Sequence, residues 1–307
     1  MENIVEDIKE ILGKYELTKD ITDFIDESNI EVLDKTYIKI KGDFWNKLFE
    51  KISPALQGEK ILYHYKGLNI AKDILKSKSI QISNLTSNEY NDYAECSEYL
   101  KKIEAYHPLV NNEILDDSRN NLLILCFTEK QSDSMWKNYG DKGVCFKIKI
   151  SMSQQNTNET YPMFRKVYYD SGNKFDFISE LNYFLYKKYR LRLSDGLSTR
   201  HALFFKREIY HDEREWRLAF NCIQDYFPLF GSLIDYSFNS VNTNYFQHVF
   251  IDVNSGRKYS NLEFGKKYPL FTMNIEEVIV NNKVSQEDFK ELKKLAGNIN
   301  VVYKRKS

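Results

Sequence analysis

The sequence has few of the residues that mark metal centres, disulfide frameworks or nucleotide-binding loops. Its four cysteines are scattered over 307 residues, and no two have the spacing of a zinc knuckle or a redox pair. We therefore expect reduced, mostly buried thiols. Five histidines without an HExxH or HxH pair argue against a metal site. The absence of GxGxxG, Walker A and GxSxG motifs disfavours a Rossmann-type nucleotide fold and a serine hydrolase.

The chain also lacks an excess of either charge. Lysine plus arginine and aspartate plus glutamate both total 44, so nucleic acid is not favoured as a partner and any such contact would have to be local. No segment approaches the roughly 18 apolar residues that a membrane span needs. The N-terminal segment is acidic and has apolar residues at helical spacing, unlike a signal peptide. We expect a cytoplasmic protein without a membrane partner.

The residues that are present favour a globular α+β protein. Hydrophobic residues make up 42% of the chain, which is enough for a proper core. Helical patterns dominate up to Pro54 and Gly58, so residues 1–58 are interpreted as a helical N-terminal appendage and 59–307 as the main domain. Strand and helix patterns then mix without strict alternation. This predicts a mixed, largely antiparallel sheet with helices packed on it.

Individual elements follow from hydrophobic periodicity and from capping residues. Ser132 or Asp133 is expected to cap a short helical turn, and Ser285 a helix through Leu295. Residues 151–160 have no apolar periodicity and are expected to form a loop. Further helices are predicted near the N-terminus and at 43–52, 68–75, 93–104, 175–192 and 199–206, and strands at 36–41, 61–65, 79–83, 121–127, 143–150, 164–170, 213–220, 245–253, 276–280 and 299–304.

The stretch EIYHDEREWRLAF, residues 208–220, combines a strand pattern with a row of charge. From residue 213 onward the pattern puts Glu213, Glu215 and Arg217 on one face, and Trp216, Leu218 and Phe220 on the other. Two carboxylates at this spacing lie about 7 Å apart and can address one bound molecule. One carboxylate could stabilise an oxocarbenium ion while the other activates a nucleophile. The alternative is a solvated edge strand in which Glu215 pairs with a nearby arginine.

The motif ILYHYKG supplies a candidate histidine. In a strand, Tyr63 and Tyr65 point to one face and His64 to the other, so His64 need not lie in the core. It is either a half-exposed structural histidine or a group that binds the sugar or phosphate of a ligand.

Two further groups have both a structural and a ligand-binding interpretation. Asn91, Asp92 and Glu95 either cap the next helix and interact favourably with its dipole, or they line a pocket. Trp136 and Tyr139 lie three residues apart on one helical turn and form either core or a stacking wall.

Several of these motifs together resemble the bacterial domain-of-unknown-function family 2971. The resemblance covers about residues 60 to 305 and depends on the blocks SMWKNYGDKGVCF and K-x(8)-EWRL, the latter starting at Lys206. Family members tend to have Asn-Asp-Pro-Phe-Glu where this chain has Asn91, Asp92, Tyr93, Ala94 and Glu95. The family name implies no biochemical activity.

A more distant resemblance is to ADP-ribosyltransferase-like folds, in which a first strand similar to LYHYKG is followed by a helix and a short strand. It implies that His64 holds the NAD ribose, with Tyr65, Trp136 and Tyr139 as further cofactor-binding residues. It also implies that Glu215 is the catalytic glutamate and that Glu213 orients an acceptor, with Arg217 and Lys206 nearby. The chain departs from the pattern because no Ser-Thr-Ser segment follows a middle strand.

The leading hypothesis is an NAD-using enzyme that transfers ADP-ribose to a macromolecule or hydrolyses NAD, as a toxin or phage-defence effector. NAD is then a substrate, and no metal is expected. A second hypothesis is a non-catalytic module that binds a nucleotide or a protein. A third is a metal-dependent nuclease or phosphodiesterase, which a chelator would silence.

Overall fold

The computed structural model describes residues 2–84, 122–153, 163–170, 176–193, 203–221, 250–251, 258–268 and 270–305. Element labels count the described helices and strands in chain order. The fold class is α+β, as the sequence predicts, with helices and mixed, mostly antiparallel sheets. The described residues separate into two compact units, and the chain passes between them after Ala55, Lys166 and His211.

The first unit contains the N-terminal residues together with the described part of 167–211. A helix and three short strands from the middle of the chain belong to it. The division into an appendage at 1–58 and a main domain at 59–307 stays a prediction. The elements of the first unit are α1 (Glu2–Gly13), β1 (Ile30–Leu33), β2 (Tyr37–Ile40), α2 (Asp43–Ile52), β8 (Tyr168–Asp170), α5 (Asp176–Tyr189), β9 (Arg192–Leu193) and β10 (Phe205–Arg207).

Helix α1 shows why its segment folds as the sequence predicts. Val5, Ile8, Ile11 and Leu12 recur at helical spacing, and all four are buried. The helix packs on α5. A three-stranded sheet, in the order β1–β2–β9, lies in the same unit, with β2 and β9 parallel.

The second unit is built on a sheet with ten described strands. The elements of this unit are β3 (Glu59–Gly67), α3 (Leu68–Ser77), β4 (Ser79–Asn84), β5 (Leu122–Thr128), α4 (Asp133–Tyr139), β6 (Gly143–Met152), β7 (Met163–Lys166), β11 (Glu215–Asn221), β12 (Phe250–Ile251), β13 (Lys258–Glu263), β14 (Phe271–Val280), α6 (Gln286–Ala296) and β15 (Asn300–Tyr303). The path of the sheet runs β12–β13–β4–β5–β3–β6–β14–β15, and β11 and β7 continue from β5. All described pairs are antiparallel except β14 with β15.

Strand β5 is the branch point of this sheet. Its whole length pairs with β11 on one edge. On the other edge, Ile124 pairs with Ser83 of β4, and Thr128 pairs with Tyr63 of β3. Two strands therefore diverge from the same edge of β5, and Cys126 lies between their contact points. Because backbone groups alternate in direction along a strand, the Cys126 carbonyl points to that same edge.

One face of the sheet carries the main core. Trp216, Leu218 and Phe220 of β11 belong to it, together with Phe127 of β5 and Phe164 of β7. Burying a side chain of this size contributes about 1.5–3 kcal/mol. The alternation that the sequence predicts for Trp216, Leu218 and Phe220 is thus observed.

A partly buried charge cluster closes one end of this core. Glu129 accepts hydrogen bonds from Trp216 Nε1 at 2.9 Å and from Lys60 Nζ at 3.0 Å, and Lys166 Nζ lies 3.4 Å from its other oxygen. The Lys60 ammonium also lies 4.4 Å from the centre of the Trp216 ring. Burial alone would raise the pKa of Glu129, but these donors and charges lower it. Glu129 is therefore held as a carboxylate.

Several predicted boundaries are wrong, and two of them lie close to the candidate site residues. The helix predicted at 199–206 does not extend to Lys206, because Phe205–Arg207 forms the parallel strand β10 beside β8. Residues Glu208–Glu213 form a 3-10 helix, so β11 begins at Glu215 instead of at Glu213. Tertiary pairing overrides local pattern in the first case, and Arg214, with φ +45°, breaks the strand in the second. Among the described residues, no helix combines the length and the hydropathy required to span a membrane.

Candidate functional site

The face of the sheet opposite the main core carries a row of polar side chains, here called the polar face. Glu215 and Arg217 of β11 point to it, because their neighbours Trp216 and Leu218 point into the core. Residues directly opposite in an antiparallel pair share a face. The polar face therefore also includes Thr128, opposite Glu215, and both Cys126 and Arg165, opposite Arg217.

Glu215 and Arg217 form a buried, two-point ion pair. Arg217 Nε donates to Glu215 Oε1 at 2.7 Å, and a second guanidinium nitrogen donates to Oε2 at 3.1 Å. The side chains are 6% and 0% exposed, respectively. Paired charge-assisted hydrogen bonds fix the orientation of a carboxylate as well as its charge. Glu215 is thus a rigid, buried anion, unlike the residue of a solvated edge strand.

Arg165 is a second buried guanidinium on the same face. It is 1% exposed and lies directly across from Arg217 on the neighbouring strand. Buried charges are rare because desolvation is costly, so two on one sheet face mark a functional site or a specialised structural network. Sequence reasoning missed Arg165, although its alternation with the apolar Phe164 was a usable signal.

Glu213 reaches the same end of the polar face from a different element. It is the last residue of the 3-10 helix, and its Oε1 accepts a hydrogen bond from the Tyr139 hydroxyl at 2.9 Å. Its backbone carbonyl accepts a second hydrogen bond from the Thr128 hydroxyl. Glu129 N donates to Arg214 O at 3.1 Å, so the turn that follows Glu213 is also anchored to β5. The side chain of Glu213 is thereby held in one place.

An aromatic cluster adjoins Glu213. Tyr65 and Trp136 pack edge to face with ring centres 5.1 Å apart, and the half-buried Tyr139 packs against them. Ser132 accepts a hydrogen bond from Met135 N and so caps α4, which carries both Trp136 and Tyr139. The buried Trp136 Nε1 has no hydrogen-bond partner among the described residues. Burial and the neighbouring Cys145 thiol raise the pKa of Tyr65, which keeps its hydroxyl protonated.

His64 lies on the other face of the sheet. Tyr63 is paired with Thr128 on the polar face, so the next residue points to the core face, where its ring lies 5.8 Å from that of Phe127. His64 Nδ1 lies 2.7 Å from the carbonyl oxygen of Cys126. This contact lies where β3 and β4 diverge from the edge of β5. Burial, with the Lys66 charge, lowers the pKa of His64 to about 3. The ring is therefore neutral, and Nδ1–H is the donor.

The structure thus brings together some of the candidate residues and separates others. Glu213, Glu215, Arg217, Tyr139, Trp136 and Tyr65 lie on or beside the polar face, whereas His64 faces the core. Lys206 lies on β10 in the first unit, with its ammonium 4.8 Å from the Tyr210 ring centre. Asn91, Asp92 and Glu95 lie outside the described residues. The catalytic and cofactor-binding roles of all these residues stay predictions.

We find no group of three or more His, Cys, Asp or Glu side chains that could hold a metal ion within the described ranges. Buried carboxylates oriented by a tyrosine and an arginine are suited to binding a polar ligand, to stabilising a developing positive charge or to activating a nucleophile.

Comparison with known proteins identifies a family for one segment. A family model described as a protein of unknown function (DUF2971) matches residues 135–218. That segment contains Trp136, Tyr139, Arg165, Glu213, Glu215 and Arg217, whereas His64 and Tyr65 precede it. No curated protein and no solved structure matches the chain. The family resemblance is confirmed over this segment, and the comparisons give no support to the likeness to ADP-ribosyltransferases.

Proposed function

We propose that the polar face is the active site of an enzyme that breaks the bond between nicotinamide and ribose in NAD. The ADP-ribose then passes to water or to a macromolecule. The observation that carries the proposal is the pair of buried, separately oriented carboxylates, Glu213 and Glu215, beside an aromatic cluster. A toxin or phage-defence effector would use such a reaction to consume NAD.

The chemistry assigns a different role to each carboxylate. As the C–N bond breaks, nicotinamide leaves with the bonding electron pair and the ribose becomes a cation. The fixed negative charge of Glu215 stabilises that cation, because a preorganised charge needs no reorientation during the reaction. Glu213 accepts the proton of the attacking hydroxyl or water as the new C–O bond forms. Tyr139 orients Glu213 through its hydroxyl, and Arg217 orients Glu215.

The aromatic cluster supports NAD as the substrate. The half-buried Tyr139 presents its ring beside Glu213, and the buried Tyr65 and Trp136 pack against it. A nicotinamide ring is flat and positively charged, so it can stack on such a ring. These groups would place the leaving group next to Glu213.

A turnover assay with and without a chelator tests the reaction class. We expect nicotinamide release from NAD by the purified chain to continue in excess EDTA, because the mechanism needs only protein carboxylates. Loss of turnover in EDTA that added Mg²⁺ restores would support the nuclease or phosphodiesterase class and contradict the proposal.

A non-catalytic nucleotide-binding module is the second candidate. The observation that favours it is the burial of Glu215, which is bound to Arg217 as in a structural ion pair. Such a module would be stabilised by NAD in a thermal-shift assay, since only the native state binds the ligand. It would release no nicotinamide.

A further inference from the structure

The surface of the first unit carries an exposed stripe of tyrosines and cations. Tyr183, Tyr186 and Lys187 lie at positions i, i+3 and i+4 near the end of α5, so they share one face. Arg190 directly follows the last residue of the helix. Arg192 of β9 joins them. We call these five residues the tyrosine–arginine patch.

Both tyrosines present their rings to solvent. Tyr183 is 64% exposed and Tyr186 is 42% exposed, whereas Leu181 and Leu185 on the opposite side of the helix are buried. Exposed aromatic rings of this size are unusual outside binding surfaces when several lie together. The rings are therefore available to stack on a ligand.

The cations are arranged around these rings. Lys187 Nζ lies 5.4 Å from the Tyr183 ring centre, and the guanidinium carbons of Arg190 and Arg192 lie 5.5 and 5.4 Å from that of Tyr186. Arg190 has φ +59°, so the chain reverses there and returns Arg192 to the same ring. The patch is thus a positively charged surface with aromatic rings between the charges.

These three cations also lack ion-pair partners within the described part of the chain. Nearby acidic groups are engaged elsewhere: Asp7 binds Lys188 and Tyr189, and Glu180 accepts a hydrogen bond from Tyr15. Cations without ion-pair partners in the described ranges are complementary to a polyanion. This holds locally although the net charge of the chain is zero.

We propose that the tyrosine–arginine patch binds single-stranded nucleic acid. Bases would stack on Tyr183 and Tyr186, and Lys187, Arg190 and Arg192 would contact phosphates. Stacking needs unpaired bases, so a single strand fits better than a duplex, whose bases already stack on each other. The inference is independent of the carboxylates of the polar face.

Fluorescence anisotropy with a labelled 12-nucleotide oligo(dT) in low salt tests whether bases stack on the two tyrosine rings. We expect the full chain to bind it, and the double variant Tyr183→Ala/Tyr186→Ala to bind at least about tenfold more weakly, as expected for lost base stacking. Circular dichroism confirms that the variant is folded. Undiminished binding by a folded double variant would overturn the proposal.

The salt dependence tests the cations. In the triple variant Lys187→Gln/Arg190→Gln/Arg192→Gln, the slope of log affinity against log salt should become shallower by about 2, since three phosphate contacts are lost. The charge-matched control is Lys290→Gln/Lys293→Gln/Lys294→Gln on α6, whose three lysines are exposed. The assignment would be contradicted if both triple variants had the same effect on the slope. It would also be contradicted if wild type bound a 12-base-pair duplex as tightly as oligo(dT), or if it bound polyglutamate but not oligo(dT).

Discussion

Glu213 and Glu215 are two residues apart in the chain, yet different elements hold them. Glu213 ends a 3-10 helix and is oriented by Tyr139, whereas Glu215 opens β11 and is oriented by Arg217. Arg214, with its left-handed backbone, separates the two environments. Two carboxylates in distinct surroundings can take distinct roles, which is the basis of the proposed division between charge stabilisation and proton transfer.

His64 provides a prediction about stability and pH. Its pKa is lowered to about 3 in the fold, against 6.5 ordinarily, so its contribution to stability is complete above pH 6.5. Below that, the unfolded state binds the proton more readily, and the contribution is lost as the pH falls towards 3. Between pH 7 and pH 5, the free energy of unfolding of wild type should fall by about 2 kcal/mol more than that of His64→Asn, because asparagine does not titrate.

Urea unfolding at the two pH values measures this difference. The asparagine amide can replace the imidazole as donor to the Cys126 carbonyl, so the variant is a matched control for the hydrogen bond. Parallel loss of stability in the two proteins would show that His64 is not the buried neutral group described here.

At the scale of elements, the tight approach of β3 and β6 depends on a glycine. A Cβ on Gly143 would lie 2.2 Å from the Lys66 carbonyl oxygen, whereas the residue opposite it, Gly67, has open space there. We expect Gly143→Ala to destabilise the fold by about 1–3 kcal/mol, because the two strands must move apart. Gly67→Ala is the control and should cost much less. Chemical denaturation of both variants checks this, and equal stabilities would refute it.

The elements that the sequence could predict are those with strong local signals. α1 has a helical apolar stripe, Ser132 and Ser285 are capping residues confirmed by their hydrogen bonds, and β5 is an apolar run. β10 and β13 have no such signal, since pairing with distant strands creates them. The sequence does not reveal that the 3-10 helix extends to Glu213, because Glu213 continues the alternation of Glu215 and Arg217.

The site could be predicted only in part for the same reason. The spacing of Glu215 and Arg217 is local, so their shared face followed from the pattern. Arg165 joins that face through the register of β7 with β11, which links residues about 50 positions apart. The contact of His64 with the Cys126 carbonyl depends on the arrangement of three strands, β3, β4 and β5. The local sequence therefore contains no signal for it.

Over the whole molecule, a net charge of zero conceals a strong local segregation of charge. Buried carboxylates and arginines occupy the polar face in the second unit. The tyrosine–arginine patch in the first unit carries cations that have no ion-pair partner among the residues that the structure describes. The balanced composition therefore argues only against a general electrostatic attraction between the whole chain and nucleic acid. The two proposals concern separate surfaces and can fail independently.

The rate of nicotinamide release from saturating NAD tests the central claim most directly, with wild type compared to Glu215→Gln, Glu213→Gln and Asp212→Asn. We expect the release rate to fall about 100-fold or more in each glutamine variant. Asp212→Asn changes an exposed carboxylate of the same 3-10 helix as Glu213, and its release rate should match that of wild type. If Glu215→Gln does not fold, Glu213→Gln still tests the claim, because Tyr139 can donate to the glutamine oxygen. Release at the wild-type rate by both glutamine variants, or no release by wild type, would contradict the account.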